Sequence, residues 1–477
     1  MELRDYQHLW IGDLRAAFTR EHKRVLGLLP TGGGKTICFS EITRLAAARG
    51  LRVLILGHRG FLVSQISGAL KDACVHHACL ARGYPENLSA RVQVGTVQTV
   101  ARRLDRIGHF DLIIIDEAHH APAGTWALIL AAYSNAWVLG VTATPCRLDG
   151  KGLGDSFDVL VTGPSVLELT DLRWLVPARI WAPSGTRLDL SGVPITKQGD
   201  YNSDALAEVC EKAHLIGDSL EHYTRIAQGA PAIAFCPSLQ FAHRTAEQFR
   251  SAGYSAAVIE GASKDTDRRA MTADLAAARL NVLISVDVIS EGFDVPTVNF
   301  GLSLRPTQSL SLYMQQIGRI LRISPGKTFA GWIDHAGNVG THGWPDDDRE
   351  WSLEKGAVRR TEKAEPITIR RCPECYHVHR PAPACPICRH QYTVQERRLD
   401  VRQGTLSEIR REDREAARQK KARAEAVKNA RQEAKAATIN TSADCRSLED
   451  FHILAKKIGK SAGWAWSQFN NRKRRAA

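Results

Sequence analysis

Long apolar runs are missing from this sequence of 477 residues. Its apolar stretches, such as residues 112–115, fall far short of the roughly 20 residues that a membrane-spanning helix needs. The amino terminus also lacks the basic-then-apolar layout of a secretory signal. No class of residue dominates, since 44% are apolar and 24% charged, which excludes a collagen-like or largely disordered chain. We therefore expect a cytoplasmic protein of two or three domains that does not contact a membrane.

An excess of positive charge is absent from most of the chain and concentrated at its end. Residues 1–350 carry 35 basic and 36 acidic side chains, whereas residues 351–477 carry 29 basic and 15 acidic ones. Such a concentration of positive charge suits a segment that binds a polyanion. A charged helix that only contacts solvent is an equally open interpretation. Residues 393–440 are rich in Ala, Glu, Arg, Lys and Gln and predict one long charged helix without a coiled-coil seam.

Four of the eleven cysteines form a compact pattern, C-x2-C-x9-C-x2-C. Cys372, Cys375, Cys385 and Cys388 have the spacing of a tetrahedral zinc site, with a chance cluster or a redox dithiol pair as the alternatives. A module as small as residues 371–392 has almost no core, so we expect Zn²⁺ to supply its folding energy. The other seven cysteines are scattered and predict ordinary thiols.

Short β-rich runs alternate with helical stretches over the first 340 residues, which is typical of parallel sheets covered by helices. We expect two tandem α/β domains at residues 1–170 and 205–340, with linkers at 171–204 and 341–370. The predicted strands are 25–29, 52–56, 92–96, 112–116 and 138–142, then 232–236, 256–260, 282–286, 299–304 and 329–334. In the last segment, 441–477, Trp464 and Trp466 precede basic residues and either stack on bases or pack this small unit.

A glycine-rich loop follows the first predicted strand and opens a helix. Its backbone N–H groups can surround an anion, Lys35 can reach the β and γ phosphates, and Thr36 can offer its hydroxyl to Mg²⁺. Leu29 stands where the common phosphate-loop pattern has Gly, and a plain glycine-rich turn is the alternative. The predicted ATP-binding residues here are Thr31, Gly32, Gly33, Gly34, Lys35 and Thr36.

Two adjacent acids, Asp116 and Glu117, follow the apolar fourth strand. Because strands of a parallel sheet end at one edge, these carboxylates should lie beside the phosphate loop. Asp116 would hold Mg²⁺, and Glu117 would align and deprotonate the water that attacks the γ phosphate. Without a neighbouring phosphate loop, the pair would be read as a solvated strand end.

Arg319 and Arg322 lie three residues apart in the second α/β domain and therefore share a helix face. Such a pair can cross a domain cleft and stabilise charge on the γ phosphate, as arginine fingers do. Two surface arginines in weak ion pairs are the alternative.

Together these residues resemble the motifs of superfamily-two helicases of the DEAD/DEAH-box class over residues 1–340, which implies two RecA-like domains. Residues 4–7 resemble the adenine-reading Q motif, residues 32–36 motif I and residues 116–119 motif II in its DEAH form. The resemblance implies nucleotide-binding residues Gln7, Gly292 and Asp294, a catalytic Gln315 beside Lys35, Glu117, Arg319 and Arg322, and nucleic-acid contacts at His58, Arg59, Thr96, Gln98, Thr142 and Thr144.

A closer likeness is to RadD-type bacterial helicases and related phage helicases, which also carry cysteine clusters after the motor. This likeness rests on residues 304–309, 313, 318–319, 325–328 and 334–338. This likeness implies an ATP-dependent DNA helicase or translocase in repair, recombination or phage-type replication. The alternatives are an ATP-gated clamp or nucleoprotein remodeller, and an RNA helicase. The zinc module and tail would bind DNA or a protein partner without taking part in hydrolysis.

Overall fold

The computed structural model describes residues 2–120, 124–146, 152–182, 188–196, 199–213, 215–286, 295–354, 358–359, 370–392, 441, 444–445, 448–460 and 468. The chain divides into two compact units, residues 1–393 and 394–477. The first unit holds two α/β lobes and the four-cysteine cluster. No helix among these residues is long and apolar enough to cross a membrane.

The first lobe alternates strands and helices from its first residues. Its strands are β1 (Arg24–Leu28), β2 (Val53–Gly57), β3 (Ala78–Leu80), β4 (Val92–Thr96), β5 (Leu112–Asp116), β6 (Trp137–Thr142) and β7 (Val159–Thr162). Its helices are α1 (Asp5–Thr19), α2 (Lys35–Ala48), α3 (Gly60–Asp72), α4 (Val97–Ala101), α5 (Gly124–Ala132) and α6 (Val166–Asp171).

These seven strands form one parallel sheet in the order β3-β4-β2-β5-β6-β1-β7. Strands such as β5 are buried along their whole length, because helices cover both faces of the sheet. All five predicted strands of this lobe are confirmed. The sequence missed β3 and β7, which are three and four residues long and lie at the two edges of the sheet.

The second lobe repeats the pattern. Its strands are β8 (Ala178–Trp181), β9 (Ala232–Phe235), β10 (Ala256–Ile259), β11 (Val282–Ser285), β12 (Phe300–Ser303) and β13 (Ala330–Asp334). Its helices are α7 (Ser203–Lys212), α8 (Leu215–His222), α9 (Leu239–Ser251), α10 (Asp265–Ala276), α11 (Leu310–Ile320) and α12 (Asn338–His342), with a π-helical turn at Tyr223–Ala227.

The second sheet has the order β10-β11-β9-β12-β13-β8 and is parallel throughout that stretch. The five predicted strands of this lobe are confirmed. Residues 171–204 were expected to be a linker, yet they supply β8, which pairs with β13. Strand β8 is short and contains an arginine, and its partner β13 lies about 150 residues further along the chain. No local sequence pattern therefore predicts β8.

Residues after α12 return to the first lobe, although 341–370 was expected to be a linker. The strands β14 (Glu350–Trp351) and β15 (Val358–Arg359) pair antiparallel. The carbonyl of Leu353 then accepts hydrogen bonds from the backbone N–H groups of Leu153 and Gly154, both 2.9 Å long. This segment ties the two lobes together in addition to the chain between α6 and β8.

The cysteine cluster extends the second sheet instead of standing alone. Its strands β16 (Arg370–Arg371) and β17 (His377–His379) are antiparallel, and β17 pairs with β8. Val378 is fully buried in the core that both lobes share. The cluster therefore gains folding energy from the sheet as well as from any metal, which the expectation of an isolated module did not include.

In the second unit, helix α13 (Leu448–Lys457) buries Phe451 and Leu454 against Cys445. The predicted charged helix at 393–440 and the tryptophans at 464 and 466 lie outside the described residues, as do Gly292 and Asp294.

Candidate functional site

The phosphate loop, residues 30–34, joins the end of β1 to the first turn of α2. Gly32 and Gly34 have φ angles of +88° and +83°, a left-handed conformation that favours glycine. Gly34 is the N-cap of α2, so the free N–H groups of this helix open at the loop. This arrangement can bind an anion without further side chains.

The first helix holds the loop in place. The Tyr6 hydroxyl donates to the carbonyl of Gly33 at 2.8 Å, and Nε2 of Gln7 donates to the same carbonyl at 3.2 Å. Oε1 of Gln7 accepts from the backbone N–H of Arg4 at 3.0 Å and closes the start of α1. Gln7, expected to read adenine, therefore also braces the phosphate loop.

The two acids lie where β5 ends, next to the loop. Asp116 and Glu117 are both buried, and Glu117 has a φ angle of +50°, which turns the chain sharply after the strand. Oδ1 of Asp116 accepts from the backbone N–H of Glu117 at 3.0 Å. Because β5, β6 and β1 are neighbours in the sheet, the acids and the loop lie at the same edge.

A line of polar contacts runs from Glu117 to the second lobe. Oε2 of Glu117 lies 3.4 Å from Nδ1 of His119, and this nitrogen lies 3.1 Å from the Thr142 hydroxyl. That hydroxyl accepts from the backbone N–H of Thr144, and the hydroxyls of Thr144 and Ser311 are hydrogen-bonded. The line connects the acid pair to the first turn of α11.

The opposite wall comes from α11 of the second lobe. Gly318 packs directly on Thr31, since a Cβ atom at this glycine would lie 2.5 Å from the Cβ of Thr31. Arg319 and Arg322 line the same cleft as Lys35, Asp116 and Glu117. The two predicted halves of the site thus face each other across the junction of the lobes.

This interlobe cleft has a volume of about 560 Å³, which suits a ligand of nucleotide size. Nζ of Lys35 donates to the carbonyl of Leu29 at 3.3 Å. Burial lowers the pKa of Lys35, while Glu117 and Asp116 act against that shift. Burial also lowers the pKa of Arg322 to about 10, so the guanidinium stays charged at neutral pH. Buried cations aimed at one cleft fit a polyanionic ligand.

Some predicted residues are not brought to the cleft. Gln315 lies on α11 but does not line the cleft, and its buried Nε2 has no hydrogen-bond partner among the described residues. Thr31, Gly32, Gly34 and Thr36 do line it, whereas Gly33 lies behind the loop against Leu29.

The residues expected to bind nucleic acid divide into two groups. His58 and Arg59 follow β2, Thr96 is the last residue of β4 and Gln98 follows it, so all four lie at the carboxyl edge of the first sheet. Arg59 and Gln98 are exposed there. Thr142 and Thr144 are instead fully buried and belong to the polar line described above, which leaves them no surface open to a strand.

Sequence reasoning missed several side chains of the cleft, among them Arg4 and Trp174. The guanidinium carbon of Arg4 lies 4.0 Å from the centre of the Trp174 ring. Arg4 belongs to residues 4–7, which resemble the Q motif, so the sequence did contain an indication of its place in the site. Trp174 comes from the segment between α6 and β8, where no motif marks it.

The four cysteine sulfurs lie within 4.8 Å of one another. The Sγ atoms of Cys372 and Cys388 are 3.4 Å apart, and those of Cys375 and Cys385 are 3.6 Å apart. Zn–S bonds of about 2.3 Å place thiolates about 3.8 Å apart in a tetrahedron, so the cluster fits a zinc ion.

Burial and hydrogen bonds act oppositely on the Cys372 thiol of this cluster. Burial would raise its pKa, but hydrogen bonds from the backbone of Cys375 and Glu374, together with those to the sulfurs of Cys388 and Cys375, lower the pKa to about 6. Burial and the neighbouring sulfurs raise the pKa of Cys375. Four thiolates at this spacing therefore need a cation to share their charge.

The cluster is fixed to the second lobe by aromatic contacts. The His377 ring packs against Trp181 of β8 with centroids 5.5 Å apart. Tyr376 lies under the guanidinium of Arg225 at 4.6 Å. Arg380 forms an ion pair of 3.0 Å with Asp347, in the segment that returns to the first lobe.

Comparison with known families covers both lobes. Residues 1–147 match the family model "Type III restriction enzyme, res subunit", and residues 212–324 match "Helicase conserved C-terminal domain". Together the two models cover more than half of the chain.

Relatives and a solved structure agree with this match. The chain is 34% identical over 376 residues to a "51.5 kDa protein" of a Lactococcus phage, covering 78% of this chain and 79% of the phage protein. It is 29% identical over 357 residues to "Putative ATP-dependent helicase IRC3" of Saccharomyces cerevisiae, covering 70% of this chain and 51% of the yeast protein. The structure of "ATP-dependent Type ISP restriction-modification enzyme LlaBIII bound to DNA" aligns with a TM-score of 0.53 at 17% identity, over 70% of this chain and 28% of that one.

Proposed function

Because the chain belongs to the superfamily-two helicases, which are nucleic-acid-dependent ATPases, we propose that it is an ATP-driven DNA translocase or helicase. Nucleic-acid binding and ATP hydrolysis follow from the family. DNA as the track is supported by LlaBIII, which shares the fold and is bound to DNA in its structure. A role in repair, recombination or phage-type replication, and a kinship to RadD-type helicases, are part of the same proposal.

One observation carries the proposal: cations and carboxylates from two lobes converge on one cleft of nucleotide size. Lys35, Asp116 and Glu117 lie on the first lobe, and Arg319 and Arg322 on the second. A nucleotide between them would be contacted from both lobes only while the lobes are closed. Hydrolysis would then remove charge from the cleft and loosen the contact, which turns a chemical step into a relative movement of the lobes.

The first lobe would hold the triphosphate. Backbone N–H groups of the phosphate loop and the ammonium of Lys35 would bind the β and γ phosphates. Thr36 and Asp116 would hold Mg²⁺, which when bound neutralises charge on these phosphates. Lys35 is half-buried and desolvation lowers the pKa of its ammonium, so a phosphate anion would recover the free energy that this desolvation costs.

Glu117 would orient the attacking water and accept its proton. The carboxylate is buried, so the surrounding packing restricts it, and its Oε2 lies 3.4 Å from Nδ1 of His119. A fixed carboxylate needs no rearrangement as charge develops in the transition state. Arg319 and Arg322 would stabilise that charge from the second lobe, and Gln315 would support them from the same helix.

DNA would cross the carboxyl edge of the first sheet. The strands β2 and β4 are neighbours there, and the side chains at their ends are His58, Arg59, Thr96 and Gln98. Side chains of this kind contact phosphate oxygens and position a strand without reading its sequence.

The four cysteines would hold a structural Zn²⁺ in the second lobe. The sulfur spacing supports this assignment, and the pairing of β17 with β8 gives the ion a part in the stability of the sheet. The basic residues around the cluster and in the tail would add affinity for DNA or for a protein partner.

The test compares the wild-type protein with Glu117→Gln. ATP turnover is measured without nucleic acid and with single-stranded DNA, duplex DNA or RNA. We expect stimulation by DNA in the wild type, and no turnover but intact ATP-dependent DNA binding in the variant. Glu208→Gln, an exposed glutamate on α7, is the matched control. Stimulation by RNA alone would contradict the proposal, and displacement of bound protein without unwinding of a tailed duplex would favour a clamp or remodeller.

A further inference from the structure

A tryptophan from the segment that joins the lobes stands at the end of the interlobe cleft. Trp174 lines the cleft together with Arg4, Gln7 and Gly34. The guanidinium carbon of Arg4 lies over the indole, 4.0 Å from the ring centre. The Tyr6 ring is also close, with centroids 6.4 Å apart. These planar groups lie on the side of the phosphate loop that α1 covers.

The hydrogen bonds around this stack lead to the phosphate loop. Nη1 of Arg4 donates to the Tyr6 hydroxyl at 3.1 Å, and that hydroxyl donates to the carbonyl of Gly33. A planar ligand that stacks on Arg4 or Trp174 would therefore contact the groups that hold the phosphate loop in place. Purine bases stack well on indole and guanidinium planes.

The two residues that follow Trp174 contact the second lobe at Arg322 and the residue before it. Leu175 forms an antiparallel bridge with Arg322, and the backbone N–H of Val176 donates to the carbonyl of Leu321 at 2.8 Å. Leu175 also packs over Gly32, where a Cβ atom would lie 2.9 Å from its Cδ2. Residues 174–176 thus touch the Arg4 stack, the phosphate loop and the chain at Arg322.

We propose that Trp174 is a specificity residue that senses the base of a purine nucleoside triphosphate. The base stacks on the pair of Trp174 and Arg4, and residues 175–176 carry this contact to the backbone of Arg322. An occupied base site then fixes the arginine that faces the phosphates, so a correct base raises both affinity and turnover. The inference rests on the proposed ATPase function and names the residue by which that site recognises its substrate.

The test separates the base from the phosphates. The kcat and KM for ATP are measured together with the inhibition constant of inorganic tripolyphosphate, a competitor that has the phosphates but no base. In Trp174→Ala we expect the KM for ATP to rise by about 5- to 150-fold, the range of a lost base–aromatic stack. We also expect kcat to fall, while the inhibition constant of tripolyphosphate stays near that of the wild type.

Two further variants keep the result interpretable. Trp174→Phe retains an aromatic plane and should restore most of the KM and kcat. Trp137→Phe replaces a partly exposed tryptophan at the start of β6 and should change neither. The unchanged inhibition by tripolyphosphate reports that the phosphate site of Trp174→Ala is still folded.

Three results would overturn the proposal. Equal weakening of ATP and tripolyphosphate would mean that Trp174 only supports the fold, and no change in either would mean that it has no role. A higher KM with an unchanged kcat would remove the link to Arg322. Failure of the proposed function would look different, because the wild-type protein itself would then show no ATP hydrolysis that nucleic acid stimulates.

Discussion

The contact between Gly318 and Thr31 joins the two lobes at the phosphate loop, and a single methyl group should disrupt it. In Gly318→Ala the new Cβ would lie 2.5 Å from the Cβ of Thr31 and 3.0 Å from its Cγ2. Carbon atoms in contact prefer about 3.5–4.0 Å, so the surfaces must separate by roughly 1 Å. Thr31 is β-branched and lies in the phosphate loop, so it has little freedom to turn away.

The expected cost follows from that overlap. Added methyl groups in well-packed contacts typically cost about 1–3 kcal/mol. Since about 1.4 kcal/mol corresponds to a tenfold change, the closed arrangement should become about 5 to 150 times rarer. Alanine also favours a helix over glycine by about 1 kcal/mol, so α11 itself should not be weakened. The loss should therefore appear in activity and not in the melting temperature.

The assay is DNA-stimulated ATP hydrolysis, with ATP binding measured separately by a fluorescent analogue. We expect kcat to fall by about 5- to 150-fold and ATP binding to the first lobe to change much less. Gly12→Ala on α1 is the matched control, because nothing lies within 4 Å of a Cβ placed there. In a Thr31→Gly background the added cost of Gly318→Ala should shrink, which a double-mutant cycle measures.

A wild-type rate in Gly318→Ala would refute this reasoning. It would mean that the contact with Thr31 is absent from the state that hydrolyses ATP. Equal penalties for Gly318→Ala with and without Thr31→Gly would show that the loss arises elsewhere on α11.

Two other predictions concern pH and the tail. Burial lowers the pKa of His335 from 6.5 to about 3. Between these pH values the unfolded chain binds more protons at this residue than the folded protein does. The free energy of unfolding should therefore fall as pH drops below about 6.5, by about 2 kcal/mol at pH 5. In urea unfolding, His335→Gln should lose less stability than the wild type over this pH range, and the remaining slope should come from other histidines whose pKa burial lowers, His342 and His377. Residues 394–477 carry 21 basic and 11 acidic side chains, so their removal should flatten the salt dependence of DNA binding in a fluorescence-anisotropy titration. An unchanged slope would mean that this unit contacts no phosphates.

Most of the fold could be predicted because strands buried on both faces are continuous apolar runs, which local reasoning can find. The ends of those runs also predicted the place of Lys35, Asp116 and Glu117, since parallel strands end at one edge. The position of the α11 arginines could not be predicted in this way, because the residues that share a helix face do not indicate which lobe that face contacts. Here the resemblance to a known family supplied what periodicity could not.

The features that the sequence did not reveal depend on contacts between distant residues. Trp174 lies near Arg4 only because the joining segment folds back on α1, some 170 residues earlier in the chain. The buried hydroxyl of Thr144 likewise has its partner, Ser311, in the other lobe. Neither arrangement follows from spacing or composition, and both lie at the junction of the lobes.

The pairing of β17 with β8 connects the four-cysteine cluster, the proposed zinc site, to the cleft. Strand β8 begins two residues after Val176, whose N–H binds the carbonyl of Leu321 beside Arg322. Loss of zinc in Cys372→Ser or Cys385→Ser should free β17 and leave β8 paired only with β13. We therefore expect a lower melting temperature and also a lower kcat for ATP in the absence of DNA. A cluster that serves only to bind DNA or a partner would leave that basal kcat unchanged, and Cys74→Ser, at an exposed cysteine of the first lobe, controls for the loss of a thiol.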